Sequence, residues 1–379
     1  MRNIKSRHIL LISCEYVPFP GGIATYAGGI ARTLRDAGYR VTVAAPSYPE
    51  LTYENDRHED NRRILRHHKI GLRGAIDTLR IIGALPADTI ILAADIRSVL
   101  FLYATRIWHR RSYRSMIHGS EVAKFGKTSP LFALARRAYL SSEMVLYNSQ
   151  ATREIFVNAF GAPARDAVSY LGVEASWFES TEGDFDNAEL AAISPDKAVI
   201  STVGRIEPRK GHLETVRAVA VAQDKVGPNK LVYVIAGRPE DEQYTSKVVS
   251  EAKRLNVSLL MTGRISEGDL KRLYRRSALH VLYAQLLSGK VEGFGLVLLE
   301  AAAQGCPTAA SRTGGIPEVL GNSGILLEPD DIPGLAKVIA ESVDNPRGRQ
   351  IRGDDARIRA ESFTWRACVE KTFPELELV

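Results

Sequence analysis

Two glutamates stand eight positions apart in EGFGLVLLEAAAQG (292–305), separated by a Gly-Phe-Gly turn and an apolar run. If 296–304 is a helix, it is apolar around most of its circumference, so Glu300 is an acid in the flank of a buried helix. A carboxylate there needs a polar partner or a ligand. Glu292 precedes the turn, which can present the amides of Phe294 and Gly295 to an anion while Glu292 accepts hydroxyl protons. A diphosphate flanked by two hydroxylated rings would use such a set, as in a nucleotide sugar. The plain alternative is a capped helix with one chance acid.

Other strand-end loops carry chemistry of the same kind. GRIEPRKG (204–211) follows an apolar run and precedes a helical pattern. Arg205 and Lys210 beside a helix amino terminus make a phosphate site, or else two surface cations near a turn. PGGIATY (20–26) and TGGIPEV (313–319) each begin with a Gly-Gly pair that lets the backbone come close to a ligand, although neither is a G-x-G-x-x-G fingerprint and either could be a simple turn. His118 ends the run SMI, with Glu121 three positions on. It is a structural or solvated histidine, or a donor to a phosphate or sugar oxygen whose ring Glu121 orients.

The elements that must position these residues alternate between strand and helix, the pattern of parallel α/β sheets. Strands are predicted at 8–14, 40–45, 89–95, 114–119 and 144–149, then at 198–204, 231–237, 258–263, 279–283, 307–311 and 324–328. Between the first two, IATYAGGIARTLRDAG (23–38) reads as a helix stopped by Gly38. The polar, Arg-rich segment 50–72 reads as a surface excursion. The acidic, turn-rich stretch 174–197 reads as a domain boundary. This gives an α/β chain of two Rossmann-like doubly wound domains, 1–177 and 190–360, facing each other across a ligand cleft. A further helix is predicted at 331–344, and the tail 363–376 forms a last helix able to cap either domain.

A chain of 379 residues exceeds what one core usually serves, and 45% hydrophobic with 25% charged residues is a globular balance. Cys14, Cys306 and Cys368 match neither a zinc site nor a disulfide framework, which implies a reducing compartment. HILLIS is too short for a signal peptide, and no run approaches a transmembrane span. A cytoplasmic protein is expected, at most docked on the inner face of the cell membrane. Residues 1–180 carry 24 lysines and arginines against 16 acids, a net +8, whereas the remainder is −2. The basic clusters 57–69 and 106–114 are either a solvated face or a patch for anionic lipid or an anionic acceptor. No nucleic-acid recognition module is visible.

Taken together, GR-x4-KG at 204–211, EGFGLVLLEA at 292–301, TGGIPEV at 313–319, HGSE at 118–121 and the Gly-Gly loop at 21–22 resemble the retaining GT-B glycosyltransferases of family 4, the E-x7-E group. The resemblance covers nearly the whole chain, and the combination is specific. FTW (363–365) also resembles the family's final helix, which crosses back to the first domain. The resemblance implies transfer of a hexose-type sugar from a UDP- or GDP-sugar to a glycan or glycolipid acceptor, with no cofactor and no metal. It implies that His118 lies against the transferred sugar, that Glu292 binds that sugar's hydroxyls, and that Glu300 binds the ribose. Arg205 and Lys210 would hold the diphosphate and offset leaving-group charge. Gly21, Gly22, Gly263, Arg264, Gly293, Phe294, Gly295 and Leu296 would complete the donor site, and the first domain would hold the acceptor. Retention is ascribed to same-face attack, with no enzymic nucleophile. YAQLLSGKVEG (283–293), containing Lys290, is a longer lead-in than relatives often carry, and donor-sugar selection is expected to differ there. A sugar-nucleotide epimerase would need more acid/base carboxylates than these motifs supply. A silent nucleotide-sugar-binding subunit would have no need of all four of Arg205, Lys210, Glu292 and Glu300.

Overall fold

A computed structural model describes residues 7–48, 58–123 and 129–378. The chain divides into two compact units, one formed by Met1–Gly172 with Thr364–Val379 and the other by Val173–Phe363. Each is an all-parallel sheet covered by helices.

In the first unit the strands are β1 (His8–Ile12), β2 (Arg40–Pro46), β3 (Asn61–Leu65), β4 (Ile90–Ala93), β5 (Arg114–Ile117), β6 (Met144–Tyr147) and β7 (Asp166–Val168). Their order is β3-β2-β1-β4-β5-β6-β7, so the winding reverses between β1 and β4. Ligands of such sheets bind outside the strand carboxyl ends at this reversal. The Gly21–Gly22 turn follows β1, and the helix Gly22–Asp36 begins there.

Two short edge strands were not expected. β3 lies inside the segment read as a surface excursion, where it pairs with β2 from Val43↔Asn61 to Pro46↔Leu65. Its arginines suit an edge position, where polar side chains discourage pairing with another chain. β7 is three residues long and shows no apolar run. Residues 49–57 of the same segment lie outside the described residues.

The second unit contains β8 (Ala198–Val203), β9 (Leu231–Ala236), β10 (Leu259–Gly263), β11 (Ser277–Leu282), β12 (Thr308–Ser311) and β13 (Ile325–Leu327), in the order β10-β9-β8-β11-β12-β13. Its reversal falls between β8 and β11. GRIEPRKG follows the first of these strands and EGFG the second, so the topology brings both loops to one point. The acidic stretch read as a boundary belongs to this unit: Asp269 accepts the amides of Asp186 and Asn187 at 2.9 and 3.0 Å, and Trp177 packs on Tyr274. Its turn-rich composition reflects a wrapping segment, and the division falls earlier, at Gly172 and Val173. A further helix, Pro346–Glu361, was missed because its exposed face is dominated by arginine and acid.

The last helix is Trp365–Thr372, and it packs in the first unit. The Trp365 ring lies so close to Gly29 that a Cβ there would come within 2.4 Å of it. Arg114, read as part of a basic patch, is buried instead. It donates to Thr372 O at 2.6 Å and pairs with Glu375 at 2.7 Å and Glu143 at 2.9 Å. Tyr113 is buried as well, and Arg111 donates to the carbonyls of Leu85 and Pro86. What remains exposed from 106–114 includes Arg106, Ile107, Trp108 and Arg110 at the end of the helix Ile96–His109. Among the described residues no helix is long and apolar enough to cross a membrane. The three cysteines are free and buried.

Candidate active site

At the β8–β11 reversal, GRIEPRKG makes a short 3-10 turn, Pro208–Lys210, before the helix His212–Val226. The turn aims Arg209 and Lys210 inward. Lys210 Nζ donates to Glu292 Oε2 at 2.7 Å, and the Arg209 guanidinium donates to the same oxygen and to Glu207 Oε1 at 2.8 Å. Burial alone would raise the Glu292 carboxyl, but Lys210 and Arg209 outweigh it and hold the group down at about 2. Burial also lowers the Lys210 ammonium, which is only partly offset by Glu292.

Sequence reasoning passed over Arg209, although it lies in the quoted loop, and also Glu207, which accepts from it. Arg205 turns the other way. Its guanidinium is half exposed and pairs with Glu207 at 3.4 Å and Glu240 at 3.5 Å. Lys290, from the long lead-in, lies 3.6 Å from Glu207 and so joins the network.

The backbone of Glu292 is held by TGGIPEV, whose Gly315 N–H donates to Glu292 O at 3.0 Å. Gly314 has φ +51, and a Cβ on it would stand 2.0 Å from that carbonyl, so only glycine fits. Past Glu292, Gly293 and Gly295 are buried, and the helix Leu296–Ala303 opens from Gly295. The Phe294 ring packs on Phe363, leaving its backbone rather than its side chain for any ligand. Leu296 is half-buried.

Glu300 lies one helical turn further, and its Oε2 accepts from the Tyr274 hydroxyl at 3.4 Å. Burial, opposed by that bond and reinforced by Glu267, lifts its carboxyl to about 7. The expected polar partner is therefore present but long, which leaves Glu300 able to take a better one. Gly263 ends β10 in a left-handed conformation, and Arg264 beyond it is exposed, with no ion pair among the described residues.

In the first unit, His118 follows β5. Its Nε2 lies 3.0 Å from Ala94 O, and its ring meets Tyr26 edge-on at 5.3 Å. Glu121 does not orient that ring: both its oxygens accept the His118 backbone N–H at 3.2 Å. The helix turn beginning at Ser120 brings the acid back over its own chain. Gly21 lies beside Glu15, a residue outside every motif, whose Oε2 would be 3.6 Å from a Cβ at that position. Among the described residues no group of three or more His, Cys, Asp or Glu is arranged to hold a metal.

Two comparisons of sequence and one of structure agree with this architecture. Residues 186–359 match the family described as Glycosyl transferases group 1, and residues 20–177 match Glycosyltransferase Family 4. The GDP-mannose-dependent alpha-(1-6)-phosphatidylinositol monomannoside mannosyltransferase of Mycolicibacterium smegmatis is 26% identical over 94% of this chain and 95% of its own length. A GDP-mannose-dependent monoacylated alpha-(1-6)-phosphatidylinositol monomannoside mannosyltransferase of Corynebacterium glutamicum is 24% identical over 97% of both chains. The crystal structure of Anabaena Alr3699/HepE in complex with UDP and glucose superposes with a TM-score of 0.79 at 19% identity, covering 97% of this chain and all of the other. Two doubly wound units, on this background, define a glycosyltransferase. The chain has the GT-B fold, with a family 4-like domain in its first half and a group 1 domain in its second.

Proposed function

We propose that the chain is a retaining glycosyltransferase that moves a hexose, mannose foremost, from a GDP- or UDP-sugar to a hydroxyl of a glycolipid or cell-surface glycan. The observation that carries this reading is the Glu292 carboxylate gripped by Lys210 and Arg209 beside a glycine-opened helix. The cations receive the diphosphate, Glu292 faces the sugar, and Glu300 takes the ribose diol. The choice of mannose rests on the names of the two mannosyltransferase relatives. Same-face attack with the departing phosphate as base needs no enzymic nucleophile. It needs no divalent ion either, since Lys210 and Arg209 supply the compensating charge. His118, Gly21 and Gly22 stay with the sugar and diphosphate as the resemblance implies, and Arg264 is assigned to the nucleotide.

The reaction takes place in the cytoplasm at the inner membrane face, where exposed Ile107 and Trp108, flanked by Arg106 and Arg110, suit an anionic interface. A transfer assay in chelator, with GDP-mannose, UDP-glucose and other nucleotide sugars against membrane lipid extracts, tests the reading. A radiolabelled lipid product from one donor is expected. Failure of every donor to react or hydrolyse overturns the reading.

The Glu300 carboxyl makes a second, independent test. An ionised carboxylate accepts both ribose hydroxyls, whereas the protonated form must give up one acceptor site. Because burial favours the neutral form, Glu300's contribution to folding stability is full below its ordinary pKa and is lost as pH rises through about 7. Nucleotide binding runs the opposite way. Affinity for GDP or UDP should fall by up to about tenfold for each pH unit below 7. The phosphate titrates in every variant, so comparison with Glu300→Gln isolates the carboxyl. Calorimetry across this range should show a steeper slope in the parent, and equal slopes would remove Glu300 from the ribose.

A further inference from the structure

Glu300 has one neighbour outside the donor loops that bonds it directly. Tyr274 lies on the helix Glu267–Arg276, whose amino end is capped by Ser266 Oγ accepting the Asp269 amide at 3.0 Å. Its side chain is fully buried, edge-on to His280 at 5.0 Å and tilted against Trp177 at 6.1 Å. Those contacts fix the ring, and the ring carries its hydroxyl to Glu300 Oε2 at 3.4 Å. A buried hydroxyl keeps a hydrogen-bond partner as a rule, and among the described residues this carboxylate is the one Tyr274 has.

The other charged and titratable groups around Glu300 are occupied or neutral. Burial raises its carboxyl, Tyr274 opposes that, Glu267 reinforces it and Lys210 opposes it. Glu267, on the same helix as Tyr274, is paired with Lys271 at 2.8 Å, and Lys210 is committed to Glu292 at 2.7 Å. His280, from β11, is pushed down to about 3 by burial and Lys210, so its ring is neutral beside Tyr274. Burial pushes the Cys306 thiol up to about 12. The helix Pro346–Glu361 sends Arg357 to the carbonyls of Ala303 and Phe178. Tyr274 is therefore the one hydrogen-bond donor to the Glu300 carboxyl among the described residues, and Oε1 accepts from none of them. Burial and then the Glu300 charge hold the Tyr274 hydroxyl protonated. A hydrogen bond donated to a carboxylate favours its charged form.

We propose that Tyr274 is a positioning residue for the donor's ribose: its hydroxyl ties down Oε2 of Glu300, favours the charged carboxylate over the neutral acid, and leaves Oε1 to accept a ribose hydroxyl. Without that bond, a carboxyl in this apolar flank stands more often as the neutral acid, which gives up an acceptor site. Tyr274 acts through Glu300 alone, from a helix that carries none of the motif residues. The inference rests on the assignment of Glu300 to the ribose made above.

The test compares the full-length parent, Tyr274→Phe, Glu300→Gln and the double variant by calorimetry with GDP and UDP, between about pH 6 and pH 9. The parent's affinity should rise with pH and level off above about 7. With the hydroxyl gone, the levelling should move up by about one pH unit, a tenfold change in the protonation balance. Tyr274→Phe should then bind about fivefold more weakly than the parent at pH 7 and nearly as tightly at pH 9. The nucleotide's own titrations are common to all variants. On the Glu300→Gln background the same replacement should change affinity at no pH. A structural tyrosine would instead weaken binding by one factor at every pH and on both backgrounds. That result overturns the proposal, as does parent-like binding by Tyr274→Phe at pH 7. Carbon-13 NMR of the glutamate carboxyls follows the same change without nucleotide. The Glu300 midpoint should rise in Tyr274→Phe, and an unmoved midpoint overturns the proposal even if binding falls. If Glu300→Gln binds GDP and UDP as the parent does, the ribose assignment fails and takes Tyr274 with it. Weakened binding by Glu300→Gln, with no pH-dependent change in Tyr274→Phe, sinks Tyr274 alone.

Discussion

Replacing Glu292 with glutamine is expected to lower kcat by about 10²-fold, the scale of losing one electrostatic stabiliser, while nucleotide binding stays as tight as in the parent or tightens. The sugar ring gains positive charge as its bond to phosphate breaks, so a carboxylate facing it acts mainly in the transition state. That carboxylate is also the shared anion for Lys210 and Arg209. Without it buried Lys210 loses its carboxylate while Arg209 keeps Glu207, and truncating one side of a buried pair costs about 3–5 kcal/mol. A bound diphosphate replaces the missing charge. Glu292→Gln should therefore unfold at a lower temperature alone and recover more than the parent when GDP or UDP is added. Thermal unfolding with and without nucleotide, alongside steady-state kinetics, reads both halves. Parent-level kcat at saturating donor would show that Glu292 is only a structural anion.

Lys210→Met should behave as the mirror image. On the proposed reading its ammonium is the compact charge that meets the diphosphate, and hydrogen bonds to charged groups contribute about 1.5–3 kcal/mol. Affinity for nucleoside diphosphate should thus fall about 10- to 10²-fold. The kcat should fall further, because charge on the leaving phosphate is greatest in the transition state. Stability should change little. Lys210 is held against a burial penalty, and Arg209 remains to satisfy Glu292. The two substitutions therefore separate by sign, one costing fold and sparing nucleotide, the other sparing fold and costing nucleotide. Undiminished GDP and UDP binding by Lys210→Met would remove the phosphate role from this loop.

The sequence announces central strands far better than edges. β4 and β9 are buried along almost their whole length and appear as unbroken apolar runs, whereas β3, written NRRIL, has polar side chains because one of its sides meets solvent. The loops 204–211 and 292–295 are legible because both flank one reversal of strand order, which keeps Lys210 and Glu292 recognisable by spacing. Spacing does not say which cation of GRIEPRKG turns inward. Arg205 goes to Glu240 and Arg209 goes to Glu292, a choice made by the 3-10 turn at Pro208. Arg114 looks like surface until the last helix covers it, and Tyr113 until its hydroxyl is seen to donate to Ala138 O.

The first unit takes Trp365, Thr372 and Glu375 from the far end of the chain. A ribosome makes that end last. At about 5–20 residues per second, the intervening unit occupies roughly 10–40 s of translation, during which the hollow at Gly29 and the Arg114 guanidinium wait uncovered. The nascent first half spends that interval without Trp365 on Gly29 and without Thr372 and Glu375 on Arg114. A stop just before Thr364 would then strip Trp365, Thr372 and Glu375 from the half that was made first and leave the half made second whole.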